Sequence, residues 1–413
     1  MAWLIPFANL TAGQQSAVQM DTRAHKAIIG GPGAGKTLVL LHRLNLLYHR
    51  TGQKAERVRL FVYTNTLKQF IRAGNDMLDA PDECISTFDK WCADAYREHV
   101  SATLPHSERG PDFDAIRAGV FHAIDDRRIS APLFDHVLVD EAQDLDTGAI
   151  EILKRIAGHI TICMDGNQQL YEGRMSEPDA LAQIGLSRHN AALLAAFRCN
   201  PMVTQLAAQF IPDESRREAF LRQASNSEKD RAKPLLYLAG GFDDEKAYLI
   251  DMVRLRLSYG DSIAVLFPQQ RQVHGFANGF AEAGIDVAVH KREDPIDFTS
   301  RIPKLMTYHQ AKGLTFDSVF LPRLDTRSFT NAMQSRIRHL LFVGVTRAIK
   351  WVFMTGENGR LISPLIDLGR CETSAFLQTQ MGAGTGGLPG MGFDAEETPR
   401  PNGPAAGDDF GLD

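Results

Sequence analysis

The stretch Gly30-Gly31-Pro32-Gly33-Ala34-Gly35-Lys36-Thr37 governs the reading of everything around it. It follows the apolar run Ala27-Ile28-Ile29 and leads into Leu38-Val39-Leu40-Leu41, an order that spells strand, glycine-rich turn and helix. A phosphate-binding loop needs that context, because strand and helix hold the turn open at the edge of a sheet. The glycines let backbone N–H groups point inward at phosphate oxygens, Lys36 sets a charge on the outer phosphates, and Thr37 offers its hydroxyl to Mg²⁺. All eight residues are therefore expected in the binding site of a nucleoside triphosphate, with ATP and Mg²⁺ as ligands.

Such a loop needs an acidic partner. Asp140-Glu141-Ala142-Gln143-Asp144 supplies one at the end of a second apolar run, Phe134-Asp135-His136-Val137-Leu138-Val139. Delivered by a strand, Asp140 and Glu141 arrive at the carboxyl edge of a parallel sheet, where ligands collect. Asp140 is expected to hold Mg²⁺ together with Thr37, and Glu141 to orient and deprotonate the attacking water. Other metal hydrolases also pair carboxylates, but no cluster of histidine or cysteine here offers a transition-metal site.

The 413 residues, 44% hydrophobic and 23% charged, suffice for two cores of ordinary size. Five scattered cysteines, Cys84, Cys92, Cys163, Cys199 and Cys371, include no CxxC pair and read as reduced, mostly buried thiols of a cytoplasmic protein. No apolar stretch approaches a membrane span, and the N-terminus lacks the basic-then-apolar layout of a signal peptide, so no membrane partner is expected. The net charge of −5 sits at one end: residues 372–413 hold seven acids and one base, and the rest of the chain is nearly neutral. A neutral body can still carry a basic groove, so charge argues neither for nor against a nucleic-acid partner. The glycine- and proline-rich tail is expected to be disordered, because it cannot bury enough apolar surface to offset the ordering entropy. Its end, Asp408-Asp409-Phe410-Gly411-Leu412-Asp413, suits either docking on a partner protein or solubility alone.

The body alternates strand and helix signals, which argues for an α/β protein with parallel sheets flanked by helices. Strands are expected at 25–30, 57–64, 134–140 and 160–165, then at 234–239, 262–267, 285–289, 304–307, 318–322 and 350–354. Only the first half carries a phosphate loop, so the second is expected to serve it across a cleft.

Further segments make a family recognisable along nearly all of residues 10–355. Leu10-Thr-Ala-Gly-Gln14-Gln-Ser-Ala-Val18 is similar to the Q motif of UvrD/Rep-like superfamily 1 helicases. Val62-Tyr-Thr-Asn65 resembles their motif Ia, and Ser86-Thr87-Phe88 the segment after it. Asp165-Gly-Asn-Gln168-Gln-Leu-Tyr171 resembles motif III, and Ala196-Phe197-Arg198 motif IV. Met306-Thr-Tyr-His309-Gln-Ala-Lys312-Gly313-Leu314 resembles motif V, and Phe342-Val-Gly-Val-Thr346-Arg347-Ala348 motif VI.

The resemblance implies two RecA-like P-loop lobes, residues 1–195 with a small insert near 93–131, and residues 196–371, followed by the tail at 372–413. It implies that Gln14 reads an adenine edge, although Thr11-x-x-Gln14 is also a capping box and both can hold. It implies that Gln168 senses the γ-phosphate, that Phe197 stacks on the base, and that Gly313 lines the nucleotide site. Arg198 and Arg347 would act as arginine fingers from the second lobe when the cleft is closed. Tyr63, Thr64, Asn65, Thr87, Phe88 and His309 would line a track for single-stranded DNA or a single-strand/duplex junction, with Tyr63 and Phe88 also readable as core aromatics.

The implied activity is an ATP-driven, Mg²⁺-dependent DNA translocase or helicase with 3′ to 5′ stepping. Departures from the family pattern keep other readings open. Leu38 and Thr315 replace the arginine and glutamate usual near base and ribose, and Gly173 replaces a base-stacking tryptophan. Neither lobe has room for a large accessory subdomain. A nucleotide-switched DNA-binding or regulatory ATPase subunit is the alternative, and an RNA-directed remodeller a further one. Nothing in the sequence sets an oligomeric state.

Overall fold

A computed structural model describes residues 4–72, 78–108, 110–165, 176–194, 199–223, 232–289, 297–298, 300–369 and 375–382. The first sheet is built from β1 (Lys26–Gly30), β2 (Val58–Val62) and β3 (Ile85–Thr87), joined by strands that follow a small hairpin of β4 (His106–Ser107) and β5 (Gly110–Pro111). Those strands are β6 (Phe134–Val139), β7 (Ala157–Met164) and β8 (Ala192–Leu194). Its order is β3-β2-β6-β7-β1-β8, with every neighbouring pair parallel. The second sheet holds β9 (Leu235–Ala239), β10 (Ile263–Phe267), β11 (Ala288–Val289), β12 (Lys304–Thr307), β13 (Phe316–Leu321), β14 (Ala348–Glu357) and β15 (Gln378–Met381). Its order is β11-β12-β10-β13-β14-β9-β15, again parallel throughout.

Parallel strands covered by helices on both faces read as continuous apolar runs. That holds for Leu235–Ala239 and Ile263–Phe267, in which every residue is buried. One buried apolar cluster contains Leu38, Leu44 and Leu67 of the first half together with Met306, Leu314 and Val345 of the second, so the halves share core.

Five strands escape the sequence reading, the two-residue β4 and β5 among them, and all five are short or lie at a sheet edge. β3 and β8 have three residues each, too few to show a period. β15 lies within the segment read as a disordered tail, and it corrects that boundary. It reads Gln-Thr-Gln-Met and pairs with β9, its Gln380 Oε1 accepting from the Tyr248 hydroxyl at 2.6 Å. Three of its four side chains are polar, as suits an edge strand that meets solvent.

The edge of the first sheet opposite the phosphate loop carries an unusual polar cluster. Arg43, 0% exposed, donates from Nε to Thr161 Oγ1 at 3.0 Å and from Nη1 to the carbonyls of Val18 and Met20 at 2.9 and 2.8 Å. Its Nη2 lies 3.3 Å from His159 Nε2, and the His159 ring meets those of His136 and His25. Burial, then the Arg43 cation, pulls His159 down to about 3; burial lowers His136 and His25 as well. The unfolded chain takes up a proton on this side chain below about 6.5, and the folded chain does not until far lower. Stability should therefore fall as pH drops through that window, by about 1.4 kcal/mol per unit, or about 2 kcal/mol between pH 6.5 and 5. Urea unfolding of wild type and His159→Gln across pH 5–7.5 checks this: the variant should show the shallower slope, and an equal slope would assign the effect to other groups.

Candidate nucleotide and nucleic-acid site

The phosphate loop leaves β1 at Gly30, where a Cβ would stand 2.8 Å from that of Ala34. Gly33 and Gly35 adopt φ of 73° and 77°, a region that side chains disfavour, and Gly35 caps the helix Lys36–Arg50. That helix stays seated because Leu38, Val39, Leu40 and Leu41 are all buried. Its N-terminus thus faces the C-terminal edge of the sheet, where backbone N–H groups and the helix dipole favour an anion.

Gln14 forms both halves of its capping box, its Oε1 accepting from Thr11 N at 3.0 Å and its N–H donating to Thr11 Oγ1 at 3.3 Å. Its Nε2 also donates to the Ala34 carbonyl at 3.0 Å, pinning the loop. A methyl at position 35 would meet that amide nitrogen at 2.6 Å as well as straining the backbone. Gly35→Ala is therefore expected to weaken binding of a fluorescent ATP analogue by about tenfold or more, the equivalent of about 1–3 kcal/mol of backbone strain. Titration of both proteins measures it.

Thr37 Oγ1 donates to Asp140 Oδ2 at 2.6 Å. Lys36 Nζ donates to the carbonyls of Gly30 and Gly31 at 2.8 and 3.1 Å and lies 3.8 Å from Asp165 Oδ2. Glu141 is buried and takes a left-handed φ of 53°, which turns its side chain out of the strand direction. Gln143 Nε2 donates to Glu141 Oε2, while Gln143 Oε1 accepts from Asp165 N at 3.0 Å. Burial opposes ionisation of Glu141, but Lys312, Lys36 and Arg347 together hold it below the usual carboxylate range. Burial and the neighbouring Glu141 charge push Asp140 the other way, up to about 6.

The second half completes the cleft. Pro32 to Leu38, Phe70 and Glu141 line one pocket together with Gly313, Thr315 and Arg347. Gly313 has φ of 81° and sits against Leu67, where a Cβ would come within 2.8 Å. Arg347 is buried; its Nε and Nη1 donate to the carbonyls of Val343 and Leu314 at 3.1 and 3.2 Å. Lys312, 0% exposed, forms an ion pair with Asp144 and lies 3.8 Å from Glu141 Oε2. Neither Lys312 nor Gln143 drew a role from the sequence, although both stand inside quoted motifs.

The expected nucleic-acid residues divide. Tyr63 is half-buried, its ring 5.0 Å from Lys312 Nζ. Thr64 Oγ1 accepts from Leu67 N at 3.0 Å and Asn65 is exposed. Thr87 caps the helix Phe88–His99 by accepting from Lys90 N at 3.2 Å. Phe88 is 5% exposed, edge-on to Phe61 at 5.4 Å and stacked near Trp91. His309 is half-buried, and burial followed by Arg336 and Lys312 lowers it to about 4. Tyr63, Thr87 and Phe88 share a second pocket that reaches Asp140, Glu141 and Asp144. Gln168, Gly173, Phe197 and Arg198 lie outside the described residues.

Among the described residues no group of three or more ligating side chains could hold a metal, and no helix is long and apolar enough to cross a membrane. The hydroxyl of Thr37 and carboxylate of Asp140 are hard oxygen donors, a fit for Mg²⁺, which takes few protein ligands and completes its shell with water and phosphate.

Two family models match the chain: an AAA domain over residues 14–174, and a UvrD-like helicase C-terminal domain over residues 291–358. The "Probable DNA helicase" of Mycoplasma pneumoniae (strain ATCC 29342 / M129 / Subtype 1) is 25% identical over 245 residues, a match that takes in 53% of this chain and 43% of that protein. This chain therefore spans less than half the length of that relative. Among solved structures, the C-terminal domain of a "possible DNA helicase" from Lactobacillus plantarum WCFS1 aligns with a TM-score of 0.35 and 15% sequence identity, over 45% of this chain and 99% of that domain.

Proposed function

Because this chain belongs to the UvrD-like superfamily 1 helicases, we propose that it hydrolyses ATP with Mg²⁺ and uses the cycle to step along single-stranded DNA, 3′ to 5′ as the family resemblance implies. The observation that carries this reading is the single cleft in which Lys36, Thr37 and Glu141 of one half meet Gly313, Thr315 and Arg347 of the other. Hydrolysis that needs groups from both halves is tied to their relative position, which is what a motor requires.

In this reading the loop N–H groups and Lys36 hold the phosphates, and Thr37 and Asp140 hold Mg²⁺. When bound, the metal neutralises charge developing on the phosphoryl oxygens. Glu141 orients the attacking water and accepts its proton; Gln143 fixes the Glu141 carboxylate from one side. Arg347 lies in the low-dielectric cleft where a fixed cation counts most for the transition state. Gln168 and Arg198 take the sensing and second-finger roles that the resemblance assigns. Tyr63, Thr64, Asn65, Thr87 and His309 form the strand track, with the protein in the cytoplasm and the acidic tail open to a protein partner.

The test is steady-state ATP hydrolysis with and without single-stranded DNA, at stated salt. Strong stimulation is expected, and its absence in pure, folded protein would sink the reading. One observation favours a nucleotide-switched DNA-binding ATPase instead: Phe88 is only 5% exposed, and Gly173 stands where the family usually has a stacking tryptophan. Failure to displace a bound roadblock from single-stranded DNA, despite stimulated hydrolysis, would select that alternative.

A further inference from the structure

We propose that Lys312 is a positioning residue that couples occupancy of the nucleic-acid track to the water-activating carboxylate, through a chain running Tyr63, Lys312, then Asp144 and Glu141; this rests on the function proposed above. Lys312 belongs to the second half, yet its ammonium is fully buried in the first, ion-paired with Asp144 and 3.8 Å from Glu141 Oε2. The π face of Tyr63 lies 5.0 Å from the same nitrogen. One cation is thus shared among the residue that would activate water, a neighbouring carboxylate and an aromatic ring in the expected track.

The ammonium is a compact charge on a flexible stem, and in a water-excluded site its attraction to each partner is strong and depends on small displacements. As the structure stands, Lys312 is closer to Asp144 than to Glu141, whose Oε2 is held by Gln143. A shift toward Glu141 would bring the ammonium onto Oε2, which already accepts from Gln143, and tie the carboxylate down. The Tyr63 ring borders the path of that shift, and its half-buried position gives a nucleic-acid base access to it. A base that fixes the ring would thereby fix the cation against Asp144 and release Glu141 for its water. Motion between the halves moves Lys312 directly, so the same chain reports cleft closure. By thermodynamic reciprocity, nucleotide must then alter the affinity for nucleic acid by the factor with which nucleic acid alters that for nucleotide.

The test measures that factor without hydrolysis. Binding of a fluorescent oligothymidylate is followed by anisotropy with and without a non-hydrolysable ATP analogue, alongside hydrolysis with and without the oligomer. Wild type is compared with Lys312→Met/Asp144→Asn, which removes both charges so that neither is left buried alone, and with Tyr63→Phe, which keeps the ring. In the double variant both ratios should fall to within about twofold of one, while affinity for each ligand alone stays within about threefold of wild type. Tyr63→Phe should keep both ratios. Wild-type ratios in the double variant, a loss of both ligand affinities measured singly, or loss of coupling in Tyr63→Phe would each overturn the proposal. If wild type itself shows neither ratio, the proposed function falls first; a coupled wild type beside a coupled double variant removes this inference alone.

Discussion

Glu141→Gln is expected to lower the hydrolytic rate by about 10²–10⁴-fold, the usual contribution of a placed general base. The amide is nearly isosteric with the carboxylate but cannot take a proton. Gln143 Nε2 donates to Glu141 Oε2 and Lys312 lies 3.8 Å away, so the carboxylate is already ionised and oriented before any ligand arrives. An amide oxygen can still accept from Gln143, which keeps the side chain in place and leaves the phosphate loop untouched. Nucleotide affinity should therefore change little while kcat collapses. Steady-state hydrolysis paired with equilibrium binding of a fluorescent ATP analogue separates the two. A variant that keeps a tenth or more of the wild-type rate would take the general-base role away from Glu141.

Asp144→Ala should destabilise the chain by about 3–5 kcal/mol, since removing one partner of a buried ion pair strands the other charge. The side chains of Lys312 and Asp144 are both fully buried, and Glu141 at 3.8 Å compensates only part of the loss. Converted for a domain of about 150–250 residues, that is a fall of roughly 6–20 °C in thermal midpoint. Replacing both residues by uncharged ones should recover most of it, because two desolvation penalties vanish with the pair. Thermal unfolding of the single and double variants decides: if the single variant melts within about 2 °C of wild type, the two halves are not held by this pair under the conditions used.

Both predictions concern residues whose importance was unequally visible beforehand. Glu141 stood out because a carboxylate pair at a strand end, after a phosphate loop, has few other uses. Asp144 and Lys312 lie 168 positions apart in the chain, so nothing local links them; only the apposition of the two halves does. Phe88 shows the reverse case. Its motif neighbourhood suggested a surface ring, but the helix it begins turns it toward Phe61 and Trp91. Aromatic residues carry the same identity whether they serve a core or a ligand, and facing is a property of packing.

The strands followed the same division. Apolar runs such as Ile263–Phe267 announce a sheet interior because burial on both faces demands unbroken hydrophobicity. β3, β8 and β15 are short or polar, their pairing supplied by a neighbour rather than by their own pattern.

By itself, then, the sequence determined the α/β class, the phosphate loop with its acidic partner and the family, since each depends on residues close together in the chain or in a set order. Tertiary structure decided the rest: which edge strands join each sheet, where Phe88 faces, and the burial of Lys312 against Asp144. These depend on contacts between distant segments, and a contact's energy is set by distance and burial, which the order of residues does not contain.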